Sequence, residues 1–398
     1  MKIFIIAGED SGDKLGAAVI DGLRDILDPP PDFVGVGGIG MTSRGLQSIF
    51  PMSELSVMGF TQIASQYNKL RKRLNQTVSA ILDEQPDILL TIDAPEFCFR
   101  VAKKIKFLNK KIPIVHYVAP SVWAWRPNRT KIISNYIDHV LALFPFEPPY
   151  FHSVGLSCDF VGHPIVSEVT ASKDNINRFK NEFSLGDQPQ ILCLPGSRKS
   201  EIDKIMPTFG RTLEKFSRVL PNANFILPST PHVFEYSKKY LEYFPKKTVF
   251  LTPENIGFEK YIAHKKASFK IADLALAASG TVSLELAANN TPMVIGYDMN
   301  YFSRQIIQLM MKTDTVTLVN LITSNRNIPE CIGTDFKSEK LFLEMVRVFS
   351  NNKNQINDFE TTMNLLGKNN EAPNKRAANS LIKFYNKFTA VRLSQTQH

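Results

Sequence analysis

The sequence has no CxxC pair: its four cysteines, Cys98, Cys158, Cys193 and Cys331, lie far apart. That spacing argues against a thiolate zinc site or a disulfide scaffold and fits a reducing cytoplasm. No stretch approaches the ~18–20 apolar residues of a spanning helix. The apolar run at residues 2–7 is too short for a signal peptide and turns acidic at Glu9 and Asp10. What is present is a globular composition, 43% apolar and 21% charged over 398 residues. At roughly 100–200 residues per domain, two or three domains are expected, each with its own core.

The charge is localised. Residues 69–131 hold 13 basic and 5 acidic side chains, +8 of the formal +9 of the whole chain. Such an excess suits nucleic acid, an anionic membrane surface or a solvated helix face. No nucleic-acid-binding pattern accompanies it, so nucleic acid is not expected as a partner. Just before it, Met58 and Phe60 lead into Lys69, Arg71, Lys72 and Arg73. Apolar residues followed by cations, over residues 55–73, make either a lipid-docking segment or an ordinary amphipathic helix.

The dominant pattern is a short apolar strand, a polar or glycine-rich turn, then an amphipathic helix. Strands are expected at 2–7, 33–36, 88–92, 114–118 and 139–143, and again at 191–194, 224–227, 248–251, 274–277 and 293–297. Most are unbroken β-branched and leucine runs, as in parallel strands buried on both faces. The polar stretch between the two groups reads as a linker. The expected organisation is α/β: a Rossmann-like domain over 1–166, a linker over 167–190, a second Rossmann-like domain over 191–336 and a helical tail over 337–398.

Several turns carry chemistry. Gly196, Ser197 and Arg198 follow one strand and open a helix, where free amides and a guanidinium suit phosphate oxygens. Ser279, Gly280 and Thr281 form a second such turn, with Glu285 one helical turn on, placed to accept from a ribose diol. Two anion-receptive turns in one domain suggest a diphosphate-linked nucleotide. Neither is a Walker A sequence and no acidic metal-binding pair stands near them, so neither metal nor cofactor is expected.

The first half differs. Glu9, Asp10, Ser11, Gly12 and Asp13 make an acidic turn suited to a hydroxyl-bearing partner, although Asp13 also reads as a helix cap. Residues 33–40 contain GxGxxG spacing, but the glycines begin inside the strand, which marks a plain glycine-rich turn. Asp93, in DAPEF at a strand's carboxyl end, suits a general base or a helix N-cap. His116, on a strand, is either a base or a structurally satisfied histidine.

Taken together, the chain resembles the lipid-A-disaccharide synthase family. The matching strings are GEDSGD (8–13), VMGF (57–60), DAPEF (93–97), HYVAPSVWAWR (116–126), PFE (145–147), VGHP (161–164), LPGSRKSE (194–201), ASGTVSLE (278–285), PMVIGY (292–297) and Val319-Asn320-Leu321. They run in order across nearly the whole chain, and the tryptophan-bearing string at 116–126 is the most specific.

The resemblance implies a GT-B architecture, two Rossmann-like domains facing a cleft, with the nucleotide on the second. It implies transfer from UDP-2,3-diacylglucosamine to 2,3-diacylglucosamine 1-phosphate, forming a β-1,6 link with inversion and releasing UDP. It casts Asp93 as base, Arg198 and Asn320 as residues near the UDP-sugar, and Glu9, Ser11 and Asp13 as the acceptor-side turn. Acylated substrates imply a cytoplasmic enzyme peripheral to the inner membrane, its anionic surface met through 55–73. The sequence leaves the assembly state open, a homodimer included. The same two-domain layout also serves UDP-N-acetylhexosamine epimerases, which need no acylated acceptor.

Overall fold

The computed structural model describes residues 1–55, 60–125, 128–298 and 314–395. The apolar runs become strands because a sheet covered by helices on both faces accepts β-branched and leucine side chains at every position. The first sheet contains β1 (Lys2–Ala7), β2 (Asp32–Val36), β3 (Gln47–Ser48), β4 (Ile88–Ile92), β5 (Ile114–Tyr117), β6 (His139–Ala142) and β7 (Ser157–Phe160), in the order β3-β2-β1-β4-β5-β6-β7. The second contains β8 (Gln190–Leu194), β9 (Asn224–Pro228), β10 (Thr248–Leu251), β11 (Leu274–Ala277), β12 (Met293–Tyr297) and β13 (Glu330–Ile332), in the order β10-β9-β8-β11-β12-β13. Every strand pairing is parallel. β4, β5, β6 and β8 are buried at each residue.

Both sheets are doubly wound, and each reverses direction once, between β1 and β4 in the first and between β8 and β11 in the second. At such a switch point the flanking connections leave in opposite directions, which opens a crevice outside the strands' carboxyl ends. The sequence motifs fall there in pairs. Residues 8–13 follow β1 and 93–97 follow β4; residues 195–201 follow β8 and 278–285 follow β11.

The chain divides into one unit of Met1–Pro164 with Leu366–His398 and another of Ile165–Leu365. Both connecting segments therefore differ from their sequence reading. The stretch read as a linker contains the helix Lys173–Glu182, capped by the Ser172 hydroxyl at 3.2 Å from the Asn175 amide. Phe179 is fully buried against Phe183 and His264, and Glu182 accepts from His264 at 2.9 Å. Enough apolar surface sits on one face of that helix to bind it to the second unit.

The tail is divided as well. Helices Ser338–Ser350 and Lys353–Leu365 belong to the second unit, where the Gln355 amide bridges the N–H and carbonyl of Met293. Pro373–Gln395 belongs to the first: Ser380 reaches His139 and Asp159, and Arg376 donates to the Phe160 carbonyl at 2.8 Å. Among the described residues no helix is long and apolar enough to cross a membrane.

Candidate functional site

In the first unit the turns after β1 and β4 meet. Gly8 is buried, and a Cβ there would lie 2.7 Å from that of Ala94, so glycine is what permits the approach. Asp93 and Ala94 are both left-handed, with φ of 51° and 42°. Two such non-glycine residues in succession are costly and turn the chain sharply away from the strand direction. Asp93 stays anchored, its amide donating to the Tyr117 carbonyl at 3.0 Å. Ala94, not Asp93, is the N-cap of the helix Pro95–Leu108. The half-buried Asp93 carboxylate instead accepts from the Ser11 hydroxyl at 3.5 Å. Glu9 and Ser11 are exposed beside it, and Gly12 is buried against Ile92.

Asp13 has a different place from the one the sequence suggested. It is buried, and its two oxygens accept from the amides of Gly38, Gly40 and Met41 at 2.8, 2.7 and 3.0 Å. Neither a cap of its own helix nor a group open to a substrate, it fastens the glycine-rich turn after β2. The anion position that a GxGxxG turn offers is thus filled by a carboxylate of the protein itself.

Farther along the same edge, His116 is fixed structurally. Thr91 donates to the Val115 carbonyl, so His116 donates to Thr91 through Nδ1 at 2.9 Å and leaves Nε2 as an acceptor. That Nε2 finds no hydrogen-bond partner among the described residues. Burial, with a smaller effect of Arg129, pulls the imidazole down to about 3.

The segments that follow β5 and β6 are joined by Glu147, which the sequence reading left without a role. Its buried carboxyl accepts from the amides of Leu143 and Phe144 and from the Trp123 indole at 3.3 Å. Phe146 packs edge-on against Trp123 and stacks on Phe144, which stacks in turn on His163. Three of the quoted strings, those holding Trp123, Glu147 and His163, thus form one wall.

In the second unit Gly196 has φ of 108°, a conformation natural only to glycine, and is exposed together with Ser197 and Arg198. The amides here are not bare. Glu201, three residues into the capping box headed by Arg198, accepts from the Ser197 and Arg198 amides at 3.0 and 3.3 Å and pairs with the Arg198 guanidinium at 3.2 Å. A carboxylate of the protein itself therefore already occupies this cradle. Arg198 keeps most of its side chain in solvent. Tyr297, at the end of β12, lies within electrostatic reach of both Glu201 and Arg198.

The turn after β11 is tied to that after β8, the Ala278 amide donating to the Leu194 carbonyl at 2.8 Å. Gly280 and Thr281 are exposed, and Ser279 donates to the Val316 carbonyl at 3.0 Å. Half-buried Glu285 pairs with Lys265 at 3.4 Å. Asn320 departs from its expected role. It is fully buried, and its amide is consumed by the Ile328 backbone and by Glu330. It supports the site from behind and does not face it. Among the described residues no group of three or more His, Cys, Asp or Glu is placed to hold a metal ion.

The basic segment divides in two. Glu54 accepts from Arg73 through two bonds at 2.9 and 2.7 Å and pairs with Lys69 at 3.3 Å. Arg73 also lies over the Phe50 ring. That bidentate, largely covered pair removes Arg73 from any docking surface, whereas Arg71 and Lys72 are exposed. Met58 lies outside the described residues, as does the side chain of Phe60.

Comparison with known proteins agrees with this layout. The family model described as lipid-A-disaccharide synthetase matches residues 3–383. A lipid-A-disaccharide synthase of Ruegeria pomeroyi is 44% identical over 382 residues, covering 96% of this chain and 95% of the relative. One from Rhodospirillum centenum is 38% identical over 386 residues, covering 96% and 94%. Among solved structures, the UDP complex of MnaA from S. aureus superposes with a TM-score of 0.67 at 15% identity, covering 97% of each chain. A glycosyltransferase from Rickettsia africae does so at 0.56 and 13%, covering 98% of each. At those identities the structural likeness speaks for the fold alone, that of GT-B proteins.

Proposed function

The chain belongs to the lipid-A-disaccharide synthetase family, glycosyltransferases of lipid A biosynthesis, and from that premise we propose how its residues carry the transfer. The donor is UDP-2,3-diacylglucosamine and the acceptor 2,3-diacylglucosamine 1-phosphate. The acceptor hydroxyl oxygen bonds to the anomeric carbon as that carbon's bond to the UDP oxygen breaks, and the hydroxyl proton passes to the Asp93 carboxylate. An α-linked donor yields a β-1,6 product by a single in-line displacement, so no covalent sugar–enzyme intermediate is needed.

The observation that carries this reading is the pairing of motifs at the two switch points. On the first unit a half-buried carboxylate, Asp93, stands beside the exposed Ser11. Glu9, Ser11 and Gly12 supply the acceptor-side turn, and Asp13 fastens the neighbouring turn after β2 to it. On the second unit, Gly196, Ser197 and Arg198 face the same crevice as Ser279, Gly280 and Thr281. Diphosphate oxygens there replace the Glu201 carboxylate on the turn amides, and Glu285 accepts from the ribose. Charge accumulates on the leaving diphosphate, so a guanidinium and fixed amide dipoles stabilise the transition state more than the ground state.

Acylated substrates bring the enzyme to the anionic, cytoplasmic face of the inner membrane. Arg71 and Lys72, with the apolar residues before them, are the docking elements on this reading.

The test is incubation of the purified chain with both substrates and with each alone. The account expects a disaccharide 1-phosphate and stoichiometric UDP only when both are present. Conversion of the UDP-sugar by itself to an epimer would refute it.

A further inference from the structure

We propose that Glu330 is a positioning residue for the UDP-sugar site, acting through Val316 on Ser279; this rests on the donor reading above. Glu330 opens the edge strand β13 and belongs to none of the strings that singled out the site. Its half-buried carboxylate gathers four donors. One oxygen accepts from the Thr315 hydroxyl, from the Thr317 amide at 3.0 Å and from Asn320 Nδ2 at 3.1 Å. The other accepts from the Val316 amide at 3.2 Å.

The consequence is a short mechanical link. The Val316 N–H is held by Glu330 while its carbonyl accepts from the Ser279 hydroxyl at 3.0 Å. A single peptide segment therefore connects a carboxylate on the sheet edge to the first residue of the turn after β11. Asn320 completes the clamp, because its amide binds both the carboxylate and the Ile328 backbone. On this reading Asn320 acts on the donor site without touching donor: it braces Glu330.

A carboxylate is required for a physical reason. It is the side chain that accepts through both ends, and every neighbour here is a donor. In Glu330→Gln the amide oxygen is best spent on the three donors at one end. The new NH2 then faces the Val316 N–H, two donors with no acceptor between them. Val316 is displaced, and with it the partner of Ser279. Thr315→Val is a milder lesion that removes one donor and keeps the shape.

The experiment measures UDP affinity by calorimetry, together with the KM of donor and of acceptor, for wild type, Glu330→Gln, Thr315→Val, Ser279→Ala and the Glu330→Gln/Ser279→Ala pair. Glu330→Gln is expected to weaken UDP and raise the donor KM about tenfold while leaving the acceptor KM unchanged, and Thr315→Val to do so about threefold. The double variant is expected to bind UDP no more weakly than the worse single one, since both break one link. UDP affinity equal to wild type in Glu330→Gln, full additivity in the double variant, or an equal rise in both KM values overturns the proposal. If wild type itself does not bind UDP, the donor reading fails and this inference with it.

Discussion

The Ser11 hydroxyl stands 3.5 Å from the Asp93 carboxylate, bridging the turns that follow β1 and β4 on either side of the first switch point. The contact is long for an O–H···O bond, so it orients the carboxylate without satisfying it. Asp93→Asn keeps the shape and removes the proton acceptor. Turnover is expected to fall by about 10²–10⁴ with UDP affinity unchanged, and Ser11→Ala to cost about tenfold. Steady-state rates beside UDP calorimetry check both, and near-normal turnover in Asp93→Asn removes it from the base role.

Arg198 is held ready by Glu201 and is otherwise open to solvent. Arg198→Ala is expected to weaken UDP binding by about tenfold or more, the range of a charge-assisted hydrogen bond. Arg198→Lys is expected to recover only part of that, because the ammonium lacks the planar fork. Unchanged UDP affinity in Arg198→Ala would remove the phosphate role.

Much of this arrangement is legible in the sequence, and the reason is physical. Ten strands announce themselves because buried parallel strands need unbroken apolar runs. β3, β7 and β13 do not, being two to four residues long and partly polar, as edge strands are. The turns flanking the switch points are readable as strings because each is local. Long-range partnerships are not: Arg73 meets Glu54, Asp13 meets Gly38, and Asn320 meets Glu330 only once the chain is folded. Glu201 is the exception that spacing could have revealed, since it sits at the capping-box distance from Arg198.

The division of the basic segment gives a paired prediction. Replacing Arg71 and Lys72 together by Gln is expected to lower partitioning onto anionic vesicles about ten- to thirtyfold, at about 1 kcal/mol per cation near the surface. Arg73→Gln is expected to lower thermal stability instead, because it leaves Glu54 with Lys69 alone and removes the partner that chiefly holds its carboxyl below the usual range. Vesicle sedimentation and thermal melts separate the two. Undiminished vesicle binding by the double variant would move the docking site elsewhere.

Three histidines and one glutamate set the acid side of the stability profile. Burial, the largest influence on each, draws His116 down to about 3 and His139 and His163 to about 4, and pushes Glu147 up to about 8. For the histidines the unfolded chain takes up the proton near pH 6.5, before the folded one does, so stability is lost as pH falls from about 6.5 toward 4. Each histidine is expected to contribute about 2–3 kcal/mol to that loss, and Glu147, which the folded chain protonates first, to offset about one of them. Denaturant melts across this window check the sum, and NMR of histidine-labelled protein checks the origin. The His116 resonance is expected not to titrate between pH 5 and 8, and a midpoint near 6.5 would contradict the account.

The most direct measurement is a structure of the chain with UDP bound. The account predicts the diphosphate against Gly196, Ser197 and Arg198, with Glu201 displaced from their amides and Ser279–Thr281 alongside. UDP seated instead on the turn of residues 8–13, with Glu201 still on its amides, would contradict it.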